Sequence, residues 1–577
     1  MRLRRVLRDA RERLVEDPVV GRVALAFSLF AFAASLWDLP SSFGWENDGI
    51  APRDLFGGFA YNLKPGSAHR YPLFHYLLVG LGSLPALLLA LLSGWDFSAI
   101  AIRERVLSVP CMTAVSLVAK LLSIAMSALT LATAARIARR THSELAGRFT
   151  ALCLAVMISF SYYAHTTNLD APYLFWSFLA QDRLLDCAER PTRRNYALFG
   201  VLLAAAVATK DQAYAGFVLT APGYLALFAL RAPASERRAR YFGVFIAALA
   251  AVVTYALLSG AAVNPTGFLG RVALLSGPNS QDWRQYEPTF GGRVANLVDL
   301  WRVSGAHAWS APLLALAGTG VVSAVVRRLC GRDARLVLLP LVYATSHMVF
   351  FTLLVGRAQH RFVLPVYAAL SIYAGAAAAS LVTWRPSPDY RRAVSLVLAA
   401  LFAYDGLRVL ALAWVGYRDA RREVEALLER AGPGARVETY GLTVQQPRFD
   451  RLSPTVTRVD PVSSPKKRNP IREVIEVEAP YGAVRERDPD VIVVPVYFAE
   501  RFFEREPGAG RMTSRERARA QADADARRYF ERIFSDDLPG YRAREVRPRV
   551  PEWLARLVPY EVHGSVGGTY RYLERER

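Results

Sequence analysis

GVFIAALAAVVTYALLSG, residues 243–260, runs without a single charged side chain. The hydrocarbon core of a bilayer is about 30 Å thick and takes roughly 20 such residues as a helix. The same reading applies to runs on either side of it. Apolar spans fall near 19–37, 107–136, 146–164, 171–187, 195–210, 212–230, 241–260, 309–326, 336–355, 361–383 and 393–415. A further apolar stretch, 73–93, contains Pro85. Over the 577 residues apolar types make up 53%, yet charged residues still make up 21%, so the two are segregated along the chain. That pattern excludes a soluble enzyme, a disordered chain and a disulfide-stapled secreted domain.

The net charge of +21 would suit nucleic acid, but its placement does not. Basic clusters sit where apolar runs stop: Arg136–Arg140, Arg190–Arg194, Arg231–Arg240 and Arg327–Arg335. Short cytoplasmic loops carry this excess of arginine, so membrane lipids rather than nucleic acid are the expected partners. The start, MRLRRVLRDARERL, is basic, and the apolar run after it lacks a small-residue cleavage site, so it is read as a retained first helix. The four cysteines have no metal-ligand spacing, and no internal repeat is visible.

The expected fold is an all-α polytopic membrane bundle with about eleven transmembrane helices. Interfacial helices are expected in its first outer loop. Residues 1–18 form a basic cytoplasmic terminus and 19–415 the bundle, with outer loops at 38–106 and 261–308. Residues 416–577 form a small soluble α/β domain on the outer side, with strand-like stretches such as Val491–Val494. For the basic clusters to lie on one side, 73–93 has to stay at the outer interface or re-enter. The first loop, the tips at 165–170, 210–212 and 356–360, and the C-terminal domain then share the outer face. Ionisable residues at membrane-span ends are functional candidates by default. Here they are Glu46, Asp48, Arg53, Asp54, His69, Arg70, His165, Asp170, Lys210, Asp211, Arg357, His360 and Arg361.

Several short motifs fall in one order along this face. Trp45-Glu46-Asn47-Asp48-Gly49 follows the first span. Arg70-Tyr71-Pro72-Leu73-Phe74-His75-Tyr76, Arg105-Val106-Leu107-Ser108, Asn168-Leu169-Asp170-Ala171-Pro172, Ala208-Thr209-Lys210 and His360-Arg361-Phe362-Val363-Leu364-Pro365 follow in turn. The set resembles the polytopic GT-C glycosyltransferases, in the family 39-like branch of protein O-mannosyltransferases and lipid A aminoarabinose transferases. The resemblance covers about the first 385 residues. It departs in the first loop, where the usual Asp-Glu or Asp-Asp is Glu46-Asn47-Asp48, and in the single Pro72 where relatives often have two.

The resemblance implies a polyprenyl-phosphate sugar donor and an inverting transfer to an acceptor on the outer face. Ala/Arg/Leu-rich usage points to a bacterial inner membrane, with the site expected to face the periplasm. The acceptor class stays open among protein, lipid and glycan. A phosphate leaving group needs its charge stabilised at the membrane edge, which cations do best where water is partly excluded. Lys210 and Arg361 are expected at the donor phosphate, with Arg70, His69 and His360 in support. The acceptor hydroxyl needs a carboxylate base. Asp48 is the first choice, Glu46 the second, and Asp170 positions the acceptor or tunes Asp48. Two carboxylates in one low-dielectric site are expected to push one pKa upward. No cofactor is expected; a divalent cation between Glu46 and Asp48 is the alternative. The competing readings are a transporter or flippase of a lipid-linked substrate and a GT-C scaffold without activity.

Overall fold

The computed structural model describes residues 17–46, 48–66, 71–276, 284–331, 336–385, 387–452, 455–460, 474–503, 524–559 and 568–576. Among the described residues seven helices are long and apolar enough to cross a membrane: Leu73–Leu92, Val109–Thr141, Ala213–Leu230, Ala234–Leu258, Ala311–Leu329, His360–Thr383 and Pro388–Ala431. Glu144–Ala155 and Ile158–Ala164, bent by 70° at their junction, make an eighth if counted together. The chain is a multi-pass membrane protein. Other helices fall outside that count for physical reasons. Pro18–Ala34 and Arg193–Thr209 are 17-residue helices, and Asp170–Glu189 carries Asp182, Arg183 and Asp186 within its apolar run. Leu339–Val355 is short and contains a π-helical turn, Met348–Thr352.

The bundle has two chemically distinct ends. At one end Arg136 and Arg140 meet Asp182 at 2.5 and 2.8 Å, and Arg140 also reaches Asp186 and Glu189. Arg148 pairs with Asp17 at 2.6 Å at this same end. The basic stretches 190–194 and 231–240 each join the end of one helix to the first turns of the next here too. Cys330, the one exposed cysteine of the four, caps Ala311–Leu329 beside Arg327 and Arg328. At the other end lie the first loop and the helix tips near 167, 210 and 360.

The segment 73–92 starts at this loop end. The Leu73 N–H donates to the Ser259 carbonyl, where Ala234–Leu258 terminates. Its second half runs beside the opening turns of Val109–Thr141, with the Cys111 thiol 3.9 Å from the Ala86 carbonyl. Those opening turns are at the loop end because Thr113 Oγ1 accepts from the Ser41 N–H at 3.1 Å.

Beyond the bundle, a six-stranded sheet has the order β3-β2-β1-β4-β6-β5. Strands β1 (Arg436–Thr439), β2 (Thr455–Asp460), β3 (Val474–Glu478) and β4 (Val491–Pro495) are parallel. Strands β5 (Tyr541–Val546) and β6 (Tyr570–Arg575) are antiparallel to each other, and β6 closes onto β4. β4 is buried along its whole length, as an uninterrupted Val-Ile-Val-Val run requires when both faces are covered. Tyr440, Tyr481, Phe498, Tyr529 and Phe530 fill one side of the sheet.

Close helix contact within the bundle depends on glycine. A Cβ on Gly320 would lie 2.0 Å from the Tyr373 carbonyl, whereas one on Gly318, two residues earlier on the same helix, meets nothing. Gly320→Ala is expected to force the helices apart at a cost of roughly 1–3 kcal/mol. Gly318→Ala is expected to be neutral or slightly stabilising. Thermal melts of the two detergent-solubilised variants, compared side by side, test this packing.

Candidate functional site

The first loop is fastened before it reaches any reactive group. Lys120 lies on Val109–Thr141 with no solvent exposure, and its ammonium is neutralised from the loop. It bonds Asp38 Oδ1 at 2.5 Å and the Ser35 carbonyl at 2.8 Å, and lies 3.1 Å from Glu46 Oε1. The other Glu46 oxygen accepts from the Thr167 N–H at 2.8 Å and its hydroxyl at 2.6 Å. Gly49 follows so closely that a Cβ there would be 2.5 Å from Thr167 Oγ1. Glu46 therefore joins three segments together, with its side chain 2% exposed. Burial pushes its carboxyl pKa up, against the pull of Lys120.

Two residues on, the environment changes. Asp48 sits in the left-handed region at φ 56°, which aspartate tolerates better than most residues, and its side chain is 39% exposed. Its carboxylate pairs with the Arg361 guanidinium. Arg361 comes from the one-turn helix His360–Val363 and is also held by Gln359 Oε1 at 3.0 Å. The charge of Arg361 holds the Asp48 carboxyl below its usual pKa, and Lys210 and Arg357 act in the same direction. The upward shift expected from neighbouring carboxylates is not what happens at Asp48, because the guanidinium dominates.

A second carboxylate–cation pair lies beside the first. Asp170 opens the helix Asp170–Glu189, where the Asn168 side chain accepts from its N–H at 2.9 Å. Its Oδ1 takes the Lys210 ammonium at 2.6 Å and the Gln212 amide at 3.2 Å. Its Oδ2 is buried with no hydrogen-bond partner among the described residues. Burial lowers the Lys210 pKa, against the attraction of Asp170. Burial first, and then the charges of Asp48 and Asp170, push the Tyr71 hydroxyl pKa up.

Of the residues singled out in the sequence, Asp48, Asp170, Lys210 and Arg361 come together, and Glu46 borders them as a strut. His360 accepts from or donates to the Tyr163 hydroxyl at 2.9 Å and stacks on His307, with centroids 4.5 Å apart. His69 and Arg70 lie outside the described residues. His165 is buried, and burial brings its pKa down to about 4. Among the described residues no cluster of three or more His, Cys, Asp or Glu is placed to hold a metal ion.

Sequence reasoning missed Lys120, Asp38, Thr167, Tyr71, Gln212 and Arg271. Arg271 is buried on Pro265–Ser276, pairs with Asp211 and lies 5.8 Å from the Tyr71 ring centre. The signal for Lys120 was present: it is the one charge in the apolar run 107–135. The second outer loop is tied in as well. Asn264 Nδ2 donates to the Lys64 carbonyl at 2.9 Å, and the N–H groups of Gln285 and Tyr286 donate to the Gly356 carbonyl.

Residues 108–258 match the family model described as dolichyl-phosphate-mannose-protein mannosyltransferase. That span contains Asp170 and Lys210 and excludes Asp48 and Arg361. No curated protein matches the sequence. Among solved structures the chain is similar to ArnT from Cupriavidus metallidurans bound to undecaprenyl phosphate, at 14% identity and TM-score 0.46 over 82% of this chain and 92% of that one. It is also similar to the Archaeoglobus fulgidus oligosaccharyltransferase in the apo form, at 10% identity and TM-score 0.43 over 82% of this chain and 70% of that one. The Archaeoglobus fulgidus oligosaccharyltransferase AglB, in complex with an inhibitory peptide and a dolichol-phosphate, aligns at 11% identity and TM-score 0.42 over 96% and 88% of the two chains.

Removing one partner of a buried ion cluster leaves the others uncompensated. Lys120→Met strands both Asp38 and Glu46 and is expected to cost about 3–5 kcal/mol. The triple variant Lys120→Met, Asp38→Asn, Glu46→Gln is expected to recover much of that loss. Melting temperatures of the single and triple variants decide whether the cluster is the fastening described.

Proposed function

We propose that this chain is a membrane glycosyltransferase of the GT-C kind, family 39-like. It moves a sugar from a polyprenyl-phosphate donor to an acceptor hydroxyl, with inversion, on the periplasmic face of a bacterial inner membrane. The observation that carries the reading is the meeting of Asp48–Arg361 and Asp170–Lys210 at one end of the bundle, from four segments far apart in the chain. The family matched over 108–258 is described by a polyprenyl-type phosphate sugar, and the ordered motifs point to the same class.

In this reading Arg361 and Lys210 receive the donor phosphate. Arginine offers a planar fork to phosphate oxygens and lysine a compact point charge. Without donor, each cation is held by a carboxylate of the site. An arriving phosphate competes for Arg361, and Asp48 then loses the charge that keeps its pKa low. Its basicity rises as the donor seats, so the base becomes effective when there is a sugar to attack. The acceptor oxygen then forms its bond to the anomeric carbon as the bond to the phosphate oxygen breaks. The acceptor proton goes to the Asp48 carboxylate, and the phosphate leaves with its charge held by Arg361 and Lys210. Glu46, enclosed by Lys120 and Thr167, serves better as a strut than as a base. Asp170 sets the position of Lys210, and its unpartnered oxygen is available to a substrate hydroxyl.

The test uses purified protein and a radiolabelled polyprenyl-phosphate sugar. Asp48→Asn is expected to lower kcat by roughly 10²–10⁴ while donor binding is retained. Activity within twofold of the parent would overturn the base assignment, and no transfer or hydrolysis of any donor by the unaltered protein would overturn the enzyme reading. The pH profile gives an independent check. A carboxylate whose pKa is depressed in the folded protein stays active above that pKa and fails as the pH falls through it. For the free enzyme, read by kcat/KM, the acid limb is therefore expected below the ordinary aspartate range. Arg361→Gln should move that limb up toward it. The alkaline limb is expected below that of an ordinary lysine, because Lys210 is buried.

A further inference from the structure

We propose that the C-terminal domain is a positioning element for the first loop: Arg421 and Arg448 hold the Trp45 indole and so fix the backbone that presents Asp48 to Arg361. The inference rests on the glycosyltransferase reading for its kinetic consequence, and on contacts alone for its structural one.

Trp45 is fully buried although it lies in a loop, and the domain supplies its surroundings. The guanidinium carbons of Arg421 and Arg448 lie 4.2 and 4.9 Å from its ring centre. Its Nε1–H donates to the Gln446 carbonyl at 2.9 Å. Both arginines are themselves rigid. Arg421 is paired to Asp419 at 2.7 Å, and Arg448 makes two bonds to Glu425 at 2.9 and 2.6 Å. Planar, paired guanidiniums over an indole combine cation–π attraction with fixed geometry.

The grip is spread along the loop. Arg422 donates to the Trp37 carbonyl, Arg448 to the Leu39 carbonyl at 3.1 Å, and Asp450 accepts from the Ser42 N–H. The bundle holds the same stretch from below through Lys120 and Thr113. Residues 37–45 are thus clamped between two bodies, and Glu46 and Asp48 follow directly. Gln446, Arg448 and Asp450 lie on the connection leaving β1 toward β2, and Arg421 and Arg422 on the helix Ala420–Ala431 that precedes β1. In a doubly wound sheet the crevice outside the carboxyl ends of strands on either side of the order reversal, here β1 and β4, is where ligands commonly sit. In this chain the connection from β1 is turned onto Trp45.

A domain that merely anchors would change stability when loosened. A positioning element changes the turnover of molecules that remain folded. The experiment uses full-length protein in nanodiscs, comparing the parent with Arg421→Gln/Arg448→Gln and with Trp45→Phe. Hydrogen exchange of residues 38–50 is expected to quicken in the double variant while that of 165–172 stays unchanged. Because misplacing a reacting group by about 1 Å costs on the order of a hundredfold, kcat is expected to fall tenfold to about a hundredfold with donor KM within about twofold. Trp45→Phe, which keeps an aromatic face and loses the donor, should show a smaller change in the same direction. If the double variant does not fold, Trp45→Phe and Asp450→Asn make the same comparison. Unchanged protection of 38–50, or unchanged kcat in protein whose melting temperature has dropped, would overturn the proposal. If the unaltered protein transfers no sugar, the functional reading fails and the exchange measurement alone decides the clamp.

Discussion

An ammonium group without water must be neutralised where it stands, and Lys120 stands inside a membrane-length helix. Asp38 and Glu46 meet that demand from the first loop, and in doing so they draw the loop down onto the bundle. The register of the residues around Asp48 follows from this. Glu46 engages Thr167, three residues before Asp170. Gly49 passes against the same threonine, and Asp48 between them turns out toward Arg361. A left-handed aspartate is uncommon, and here it is imposed by fastenings on both sides of it.

The same contrast explains why neighbouring carboxylates have opposite characters. Glu46 is enclosed, with each oxygen engaged, and burial raises its pKa. Asp48 is partly open and next to a guanidinium, which lowers its pKa. Charge placement thus separates an enclosed carboxylate from a partly open, ion-paired one two residues away, without any change of residue class.

Much of the bundle was legible in the sequence because uncharged runs of membrane length find few hosts besides a bilayer. The convergence of Asp48, Asp170, Lys210 and Arg361 was legible too, since the basic clusters force the remaining loops to one side. What hydropathy could not reveal were the interruptions. The bend at 156–158 and the π-helical turn at 348–352 lie within apolar windows, and averaging over a window erases them. Asp170–Glu189 shows the opposite failure. Its carboxylates make it look less like a membrane helix, but Asp182 and Asp186 are answered by arginines on neighbouring segments, which one segment's sequence cannot show. Trp45 was hidden because its partners lie some four hundred residues away.

The cysteines have a practical consequence. Cys111, Cys153 and Cys187 are buried in the packed helices, while Cys330 stands exposed at the basic end. The natural chain thus carries a single addressable thiol, remote from both carboxylate–cation pairs. A membrane-impermeant maleimide added to one side of sealed vesicles would find it or miss it. The orientation of the whole bundle could be read that way without altering one residue.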